Sequence, residues 1–153
     1  MENKVTFLIH RYNPELNNEP YIQEYTIDFV AGQTILDALR QIKVTIDSSL
    51  SFRCSCGHGI CGSCAMEING VNVLTCEAPI SDYRSEENVI IVKPLKSAEL
   101  VRDLVINEQK FWKNYEDIIP WLVPNEKLPQ KEFIVSPEQV EELYCAEHCI
   151  QCG

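Results

Sequence analysis

Residues 56–64 read CGHGICGSC, and a further cysteine, Cys76, follows after eleven intervening residues. The spacing C-x4-C-x2-C with a distant fourth cysteine is the ligand pattern of plant-type [2Fe–2S] clusters. Four thiolates must surround a compact two-iron core, so the backbone has to wrap around it instead of continuing as a helix or strand. Three glycines permit the backbone angles that wrapping requires and let N–H groups approach the sulfurs. The predicted ligands of this [2Fe–2S] site are Cys56, Cys61, Cys64 and Cys76.

Other uses of these cysteines fit the pattern less well. Four thiolates can hold zinc, but zinc ribbons use two short cysteine pairs, whereas here the ligands divide three to one. The clustering of eight cysteines indicates metal or redox chemistry in a reducing compartment more than disulfides. Cys54 does not fit the spacing and is interpreted as a neighbour of the site. His58 could be compared with the histidine ligands of Rieske centres, but with four cysteines present it is interpreted as a solvent-facing loop residue.

A second, shorter cysteine pattern lies at residues 149–153, which read CIQCG. Cys149 and Cys152 match the first two ligands of the bacterial C-x2-C-x2-C-x3-C-P run, and Cys145 lies upstream at a spacing that does not fit. Two thiolates cannot hold a [4Fe–4S] cluster alone. The prediction is a partial [4Fe–4S] site, completed only if the chain continues beyond residue 153, as in a truncated chain or a split gene. The alternative is a short tail with incidental cysteines.

The composition indicates a globular protein that does not bind nucleic acid. Hydrophobic residues make up 45% and charged residues 24% of the 153 residues. The net charge of −10 argues against a basic surface for nucleic acid. No stretch approaches the roughly 20 apolar residues needed to span a bilayer, and no signal or transit segment is recognisable. A cytoplasmic protein is predicted, with any membrane contact made through partners.

The first part of the chain has the pattern of a small sheet with one helix. Alternating apolar residues predict two strands, at residues 5–9 and 21–30, that pair as a hairpin. Thr34 followed by Asp37 predicts a partial capping box, and apolar residues at helical spacing predict a helix that ends near residues 43–46.

Three more strands complete the predicted domain. The Asn-Gly pair at positions 69 and 70 predicts a hairpin between residues 65–68 and 71–74. Residues 89–92 form a further apolar run that is ended by Pro94. The pattern therefore predicts an α+β domain over residues 1–96.

The remaining residues, 97–153, have the character of a helical segment. A helix is predicted over residues 98–115, with Ser97 as its cap. Three prolines between residues 118 and 131 predict an irregular stretch. Ser136 before Pro-Glu-Gln predicts the start of a second helix that runs to about Cys145.

Residues 55–70, followed by Leu74–Cys76, closely resemble the iron–sulfur subunit of succinate dehydrogenase and fumarate reductase. The resemblance continues through residues 92–95 and 101–105, and then through the aromatic residues of 111–122. It implies an N-terminal β-grasp ferredoxin domain with the [2Fe–2S] cluster, followed by the incomplete start of a helical ferredoxin domain. In the family this second domain holds a [4Fe–4S] and a [3Fe–4S] cluster, and Cys149 and Cys152 match the first two ligands of the former.

The resemblance also implies a function and partners. The chain would accept single electrons from an FAD-containing flavoprotein subunit that interconverts succinate and fumarate, and would pass them toward further clusters and quinone. Membrane anchor subunits would be indirect partners and would hold it at the cytoplasmic face of the membrane. No residue of this chain is expected to act on substrate as an acid or base. The alternatives are a subunit of a thiol-dependent fumarate reductase and a free-standing [2Fe–2S] ferredoxin.

Overall fold

The computed structural model describes residues 4–121, 123, 134–147 and 150. Two compact units are present. The first comprises residues up to Glu108 together with Ile150, and the second begins at Gln109. The first unit therefore extends beyond residue 96, where the sequence pattern placed the boundary.

A five-stranded mixed sheet forms the frame of the first unit. Its strands stand in the order β2-β1-β5-β3-β4, with β1 and β5 parallel and the other neighbours antiparallel. Both predicted hairpins are confirmed, because β1 pairs with β2 and β3 pairs with β4. The strands are β1 (Lys4–Asn13), β2 (Asn17–Asp28), β3 (Ala65–Ile68), β4 (Val71–Leu74) and β5 (Val89–Lys93).

Helix α1 (Ile35–Thr45) packs on one face of this sheet. It begins where predicted, because the Thr34 hydroxyl accepts from the Asp37 N–H and the Asp37 carboxylate accepts from the Thr34 N–H. Alternate residues of the strands meet the apolar face of the helix and form one continuous core. Helix α2 (Ile80–Tyr83), a single turn that the sequence analysis missed, adds Ile80 to this core. The whole is an α+β fold.

The helix predicted over residues 98–115 is wrong in its first part, residues 98–108, and confirmed over residues 109–115. Residues 98–108 instead contain a short hairpin of β6 (Leu100–Arg102) and β7 (Val105–Ile106), and helix α3 begins only at Gln109. Asp103 takes a positive φ of 48° between the two strands, and Leu104 is buried in the core of the first unit. Burial of that leucine outweighs the helical spacing of the apolar residues, since tertiary packing overrides weak local propensity.

The described residues of the second unit contain two helices. Helix α3 (Gln109–Asp117) carries Trp112, whose ring makes edge-to-face contacts with Phe111 and Tyr115. Helix α4 (Pro137–Glu147) begins with the predicted capping box, in which Ser136 and Gln139 exchange hydrogen bonds. Among the helices of the described ranges, none combines the length and the apolar character that crossing a bilayer would take.

Candidate metal centre

The cysteine loop, residues 52–64, has no regular secondary structure and leads into β3. Its three glycines, Gly57, Gly59 and Gly62, all have φ between 71° and 74°, a conformation that other residues rarely adopt. A side chain at Gly59 would also overlap the carboxylate of Glu77. The loop thus adopts the wrapped path that the glycine spacing predicts.

Thr75 joins the end of the loop to the fourth cysteine. Its N–H and its hydroxyl both donate to the carbonyl oxygen of Cys64, at 3.3 and 3.0 Å, and its side chain is fully buried. Its own carbonyl accepts from the N–H of Leu36 in the first turn of α1, at 3.0 Å. These bonds hold Cys76, the next residue, beside Cys64.

Backbone N–H groups point at the cysteine sulfurs. The N–H of Gly59 donates to Cys76 Sγ at 3.2 Å, and the N–H of Cys61 donates to Cys56 Sγ at 3.4 Å. The N–H of Cys56 in turn lies 3.5 Å from Cys61 Sγ, and the Ser63 hydroxyl lies 3.0 Å from the same sulfur. Such bonds stabilise negative charge on sulfur, which a thiolate ligand carries.

The pKa values of the thiols follow their surroundings. N–H groups of His58, Ile60 and Cys61 lower the pKa of Cys56 to about 6. Burial, together with the neighbouring Cys64 and Cys56 sulfurs, raises the pKa of Cys76 to about 11 and outweighs the N–H of Gly59. The lowered pKa favours the thiolate form of Cys56, whereas Cys76 is shielded from water.

The four cysteines differ in exposure in a systematic way. Cys64 and Cys76 are buried in an apolar cluster with Leu36 and Leu74, against which Ile150 is packed. Cys56 and Cys61 are partly exposed, and the Ile60 side chain between them is 75% exposed. The site thus has a dry inner side and an outer side that a partner protein can approach.

A buried ion pair holds the base of the loop, and the sequence analysis did not find it. Asp103 is 1% exposed and accepts from the Arg11 side chain at 2.9 Å. It also accepts from the N–H groups of Tyr12 at 3.0 Å and Ser51 at 2.8 Å. Ser51 stands directly before the cysteine loop, so this carboxylate ties β1 and the turn between β6 and β7 to the start of the loop. No sequence signal joins positions 11, 51 and 103.

The remaining predicted residues are placed as follows. His58 is exposed, and its Nδ1 lies 2.7 Å from the carbonyl oxygen of Cys56, so the ring nitrogen donates and the residue faces solvent. Cys54 is exposed and, among the described residues, takes no part in the contacts of the four sulfurs. Cys149 and Cys152 lie outside the described residues.

The donor set suits a two-iron cluster. Within the ranges that the structure describes, no three His, Cys, Asp or Glu side chains converge as ligands of one ion. A single zinc ion requires four ligands around one point, whereas each iron of a [2Fe–2S] cluster takes only two protein thiolates. Three thiols of one loop and a fourth from the turn after β4, with N–H groups directed at three of the sulfurs, match the second case.

Comparison with known proteins gives a consistent result. Residues 6–113 match the family described as 2Fe-2S iron-sulfur cluster binding domain. The chain is 43% identical over 153 residues to the mitochondrial succinate dehydrogenase [ubiquinone] iron-sulfur subunit of Dictyostelium discoideum, covering 97% of this chain and 53% of that one. It is 35% identical over 151 residues to the succinate dehydrogenase iron-sulfur subunit of Coxiella burnetii, covering 97% and 63%.

The fold is similar as well. A chain of the Mycobacterium smegmatis Sdh1 complex in the apo form superimposes with a TM-score of 0.81 at 28% identity, covering 99% of this chain and 62% of that chain. The present chain therefore spans between about half and two thirds of the length of these relatives.

Proposed function

Because the chain belongs to the family of 2Fe-2S iron-sulfur cluster binding domains, we propose that it is the electron-transfer subunit of a succinate dehydrogenase or fumarate reductase. The observation that carries this proposal is the wrapped loop whose N–H groups point at cysteine sulfurs. The ligands of the [2Fe–2S] cluster that we propose are Cys56, Cys61, Cys64 and Cys76.

A [2Fe–2S] cluster in this site supplies one-electron chemistry. The residues of the chain hold it and adjust its potential. The N–H group of Gly59 and the hydroxyl of Ser63 favour the added negative charge, because both lie within hydrogen-bonding distance of a ligand sulfur. Burial of Cys64 and Cys76 keeps water from the inner side.

Electrons would enter from a flavoprotein partner at the outer side of the site. Cys56 and Cys61 lie there with the exposed Ile60, so a partner surface can approach the ligands directly. Because the relatives of this chain are subunits of succinate dehydrogenase, we propose an FAD-containing subunit as that partner and a membrane anchor as an indirect one. Substrate chemistry would belong to the flavoprotein, and no acid or base of this chain takes part in it.

Electrons would leave toward a second cluster. We propose Cys149 and Cys152 as two ligands of a [4Fe–4S] site in a helical ferredoxin domain that residues 109–153 begin. Ile150, which stands between them in the sequence, packs against the apolar cluster of Cys64 and Cys76. In this division the [2Fe–2S] domain extends through Glu108, because the β6–β7 hairpin belongs to the first compact unit.

The metal content of the purified protein tests the first part of the proposal. The chain, purified without oxygen, should contain two iron atoms and two acid-labile sulfides at this site and should lose visible absorbance on reduction. Cys76→Ser should lose the cluster, whereas Cys54→Ser, the matched control on the same loop, should retain it. Zinc without iron would refute the proposal, and retention by Cys76→Ser with loss by Cys54→Ser would refute the ligand assignment.

The partner is tested separately. The cluster-loaded chain is mixed anaerobically with an FAD-containing succinate dehydrogenase subunit, and succinate is added. Bleaching of the iron–sulfur absorbance that requires both the flavoprotein and succinate is the expected result. Reduction by a low-potential ferredoxin reductase but never by the flavoprotein would instead indicate a free-standing carrier.

A further inference from the structure

We propose that Glu77 lowers the reduction potential of the iron–sulfur site by holding a negative charge against the cysteine loop. This inference rests on the proposed function, because it takes Cys76 as a cluster ligand. Glu77 directly follows Cys76 in the sequence, and neither the residue pattern nor the comparisons give it a role.

The carboxylate of Glu77 lies against the cysteine loop. A Cβ atom built on Gly59 would overlap both carboxylate oxygens of Glu77, so the carboxylate lies against the Cα of that glycine. The N–H of the same Gly59 donates to Cys76 Sγ at 3.2 Å. With standard bond lengths this places the carboxylate within about 8 Å of the Cys76 sulfur.

The backbone limits the freedom of Glu77. Its N–H donates to the carbonyl oxygen of Leu74 at 3.0 Å, which closes a turn around Cys76. That turn is tied in addition to Cys64 through Thr75. The Cα of Glu77 is therefore held at the edge of the site, although its side chain is exposed to solvent.

Among the ion pairs of the described residues, none involves the carboxylate of Glu77. Two anionic groups therefore lie within about a Debye length of each other at physiological ionic strength, and their repulsion is incompletely screened. Each electron taken up adds one negative charge at the site, so the carboxylate disfavours reduction.

The test is a redox titration of the cluster-loaded chain, monitored by EPR of the reduced state. Glu77→Gln removes the charge at nearly constant shape and should raise the midpoint potential, and Glu77→Lys should raise it further. The matched control is Glu87→Gln, which removes the charge of another exposed glutamate. Glu87 lies just before β5, near the end of β3 that is farther from the cysteine loop. Its midpoint should equal that of the wild type.

Ionic strength separates an effect of charge from an effect of structure. The difference between wild type and Glu77→Gln should shrink as salt rises from low to high concentration, because screening weakens interaction between exposed charges. Equal midpoints of wild type and both Glu77 variants would overturn the inference, as would a difference that is unchanged by salt. Loss of the cluster in both Glu77 variants would also overturn it, because the residue would then have a structural role. Absence of iron from the wild type would instead refute the proposed function.

Discussion

Replacing Asp103 with asparagine should strongly destabilise the first compact unit and loosen the start of the cysteine loop. Both oxygens of this buried carboxylate accept hydrogen bonds. Oδ1 accepts from Arg11 and from the Tyr12 N–H, and Oδ2 accepts from the Ser51 N–H. Asparagine keeps the size of the side chain and tolerates the φ of 48° at this position, so the change acts through charge and hydrogen bonding.

The magnitude follows from what the amide cannot do. Its NH2 group must face either the Ser51 N–H or the donors on the other side, so at least one buried donor loses its acceptor, at about 1–3 kcal/mol. Arg11 also loses one of its two carboxylate partners, although Asp47 remains at 2.5 Å. Removing one partner of a buried ion pair costs about 3–5 kcal/mol of stability. Because Asp47 still pairs with Arg11, we expect a loss at the lower end of this range, about 3 kcal/mol.

Urea unfolding of the cluster-loaded protein, followed by far-ultraviolet circular dichroism without oxygen, measures this loss. With a slope of about 2 kcal/mol per molar urea, 3 kcal/mol lowers the midpoint by about 1.5 M. Asp82→Asn, the same substitution at an exposed position of α2, should change the free energy of unfolding by less than about 0.5 kcal/mol. Equal midpoints for the two variants would show that Asp103 does not carry the stability argued here.

Three further changes have definite expected outcomes. Leu39→Ala, at a fully buried position of α1, should lower the free energy of unfolding by about 2–5 kcal/mol in the same urea assay. Gly59→Ala should reduce the iron content while the circular dichroism of the sheet is retained, because the new side chain requires a strained φ of 74° and overlaps Glu77. Burial raises the pKa of Asp47, but its hydrogen bonds outweigh burial and hold that pKa below 3.8. The carboxylate therefore stabilises the fold above about pH 4, and the stability difference between wild type and Asp47→Asn should be constant there and shrink as the pH falls further.

Much of the first unit could be predicted because its signals are local. The capping box at Thr34 and the Asn-Gly turn at residues 69–70 involve residues at most three positions apart, and both are confirmed. The positive φ angles of the loop glycines follow from the spacing in the same way. Where a few neighbouring residues determine the backbone, the sequence is sufficient.

The β6–β7 hairpin and its ion pair could not be predicted in this way. Leu104 has helical spacing from Leu100, and that pattern led to the incorrect helix. What decides the conformation is the space for Leu104 in the core and the pairing of Asp103 with Arg11, 92 positions away. Such a partner is visible only after the sheet has formed.

Contacts between residues far apart in the sequence also determine at which stage of folding the metal centre forms. Its loop is held at one end by Asp103 through Ser51 and at the other by Thr75 through Cys64, so neither end is fixed until β1, β3 and β6 are in place. Holding the loop in one conformation costs entropy, and the contacts of the folded sheet offset that cost. Until the sheet has formed, the four thiols are not held in one arrangement. Since a ligand that binds only the folded state stabilises it, loading with iron and sulfide should raise the stability of the sheet itself. Conversely, Asp103→Asn, which weakens the hydrogen bond to the Ser51 N–H, should lose its cluster to a chelator faster than wild type. The comparison is made at urea concentrations where the sheet is still folded.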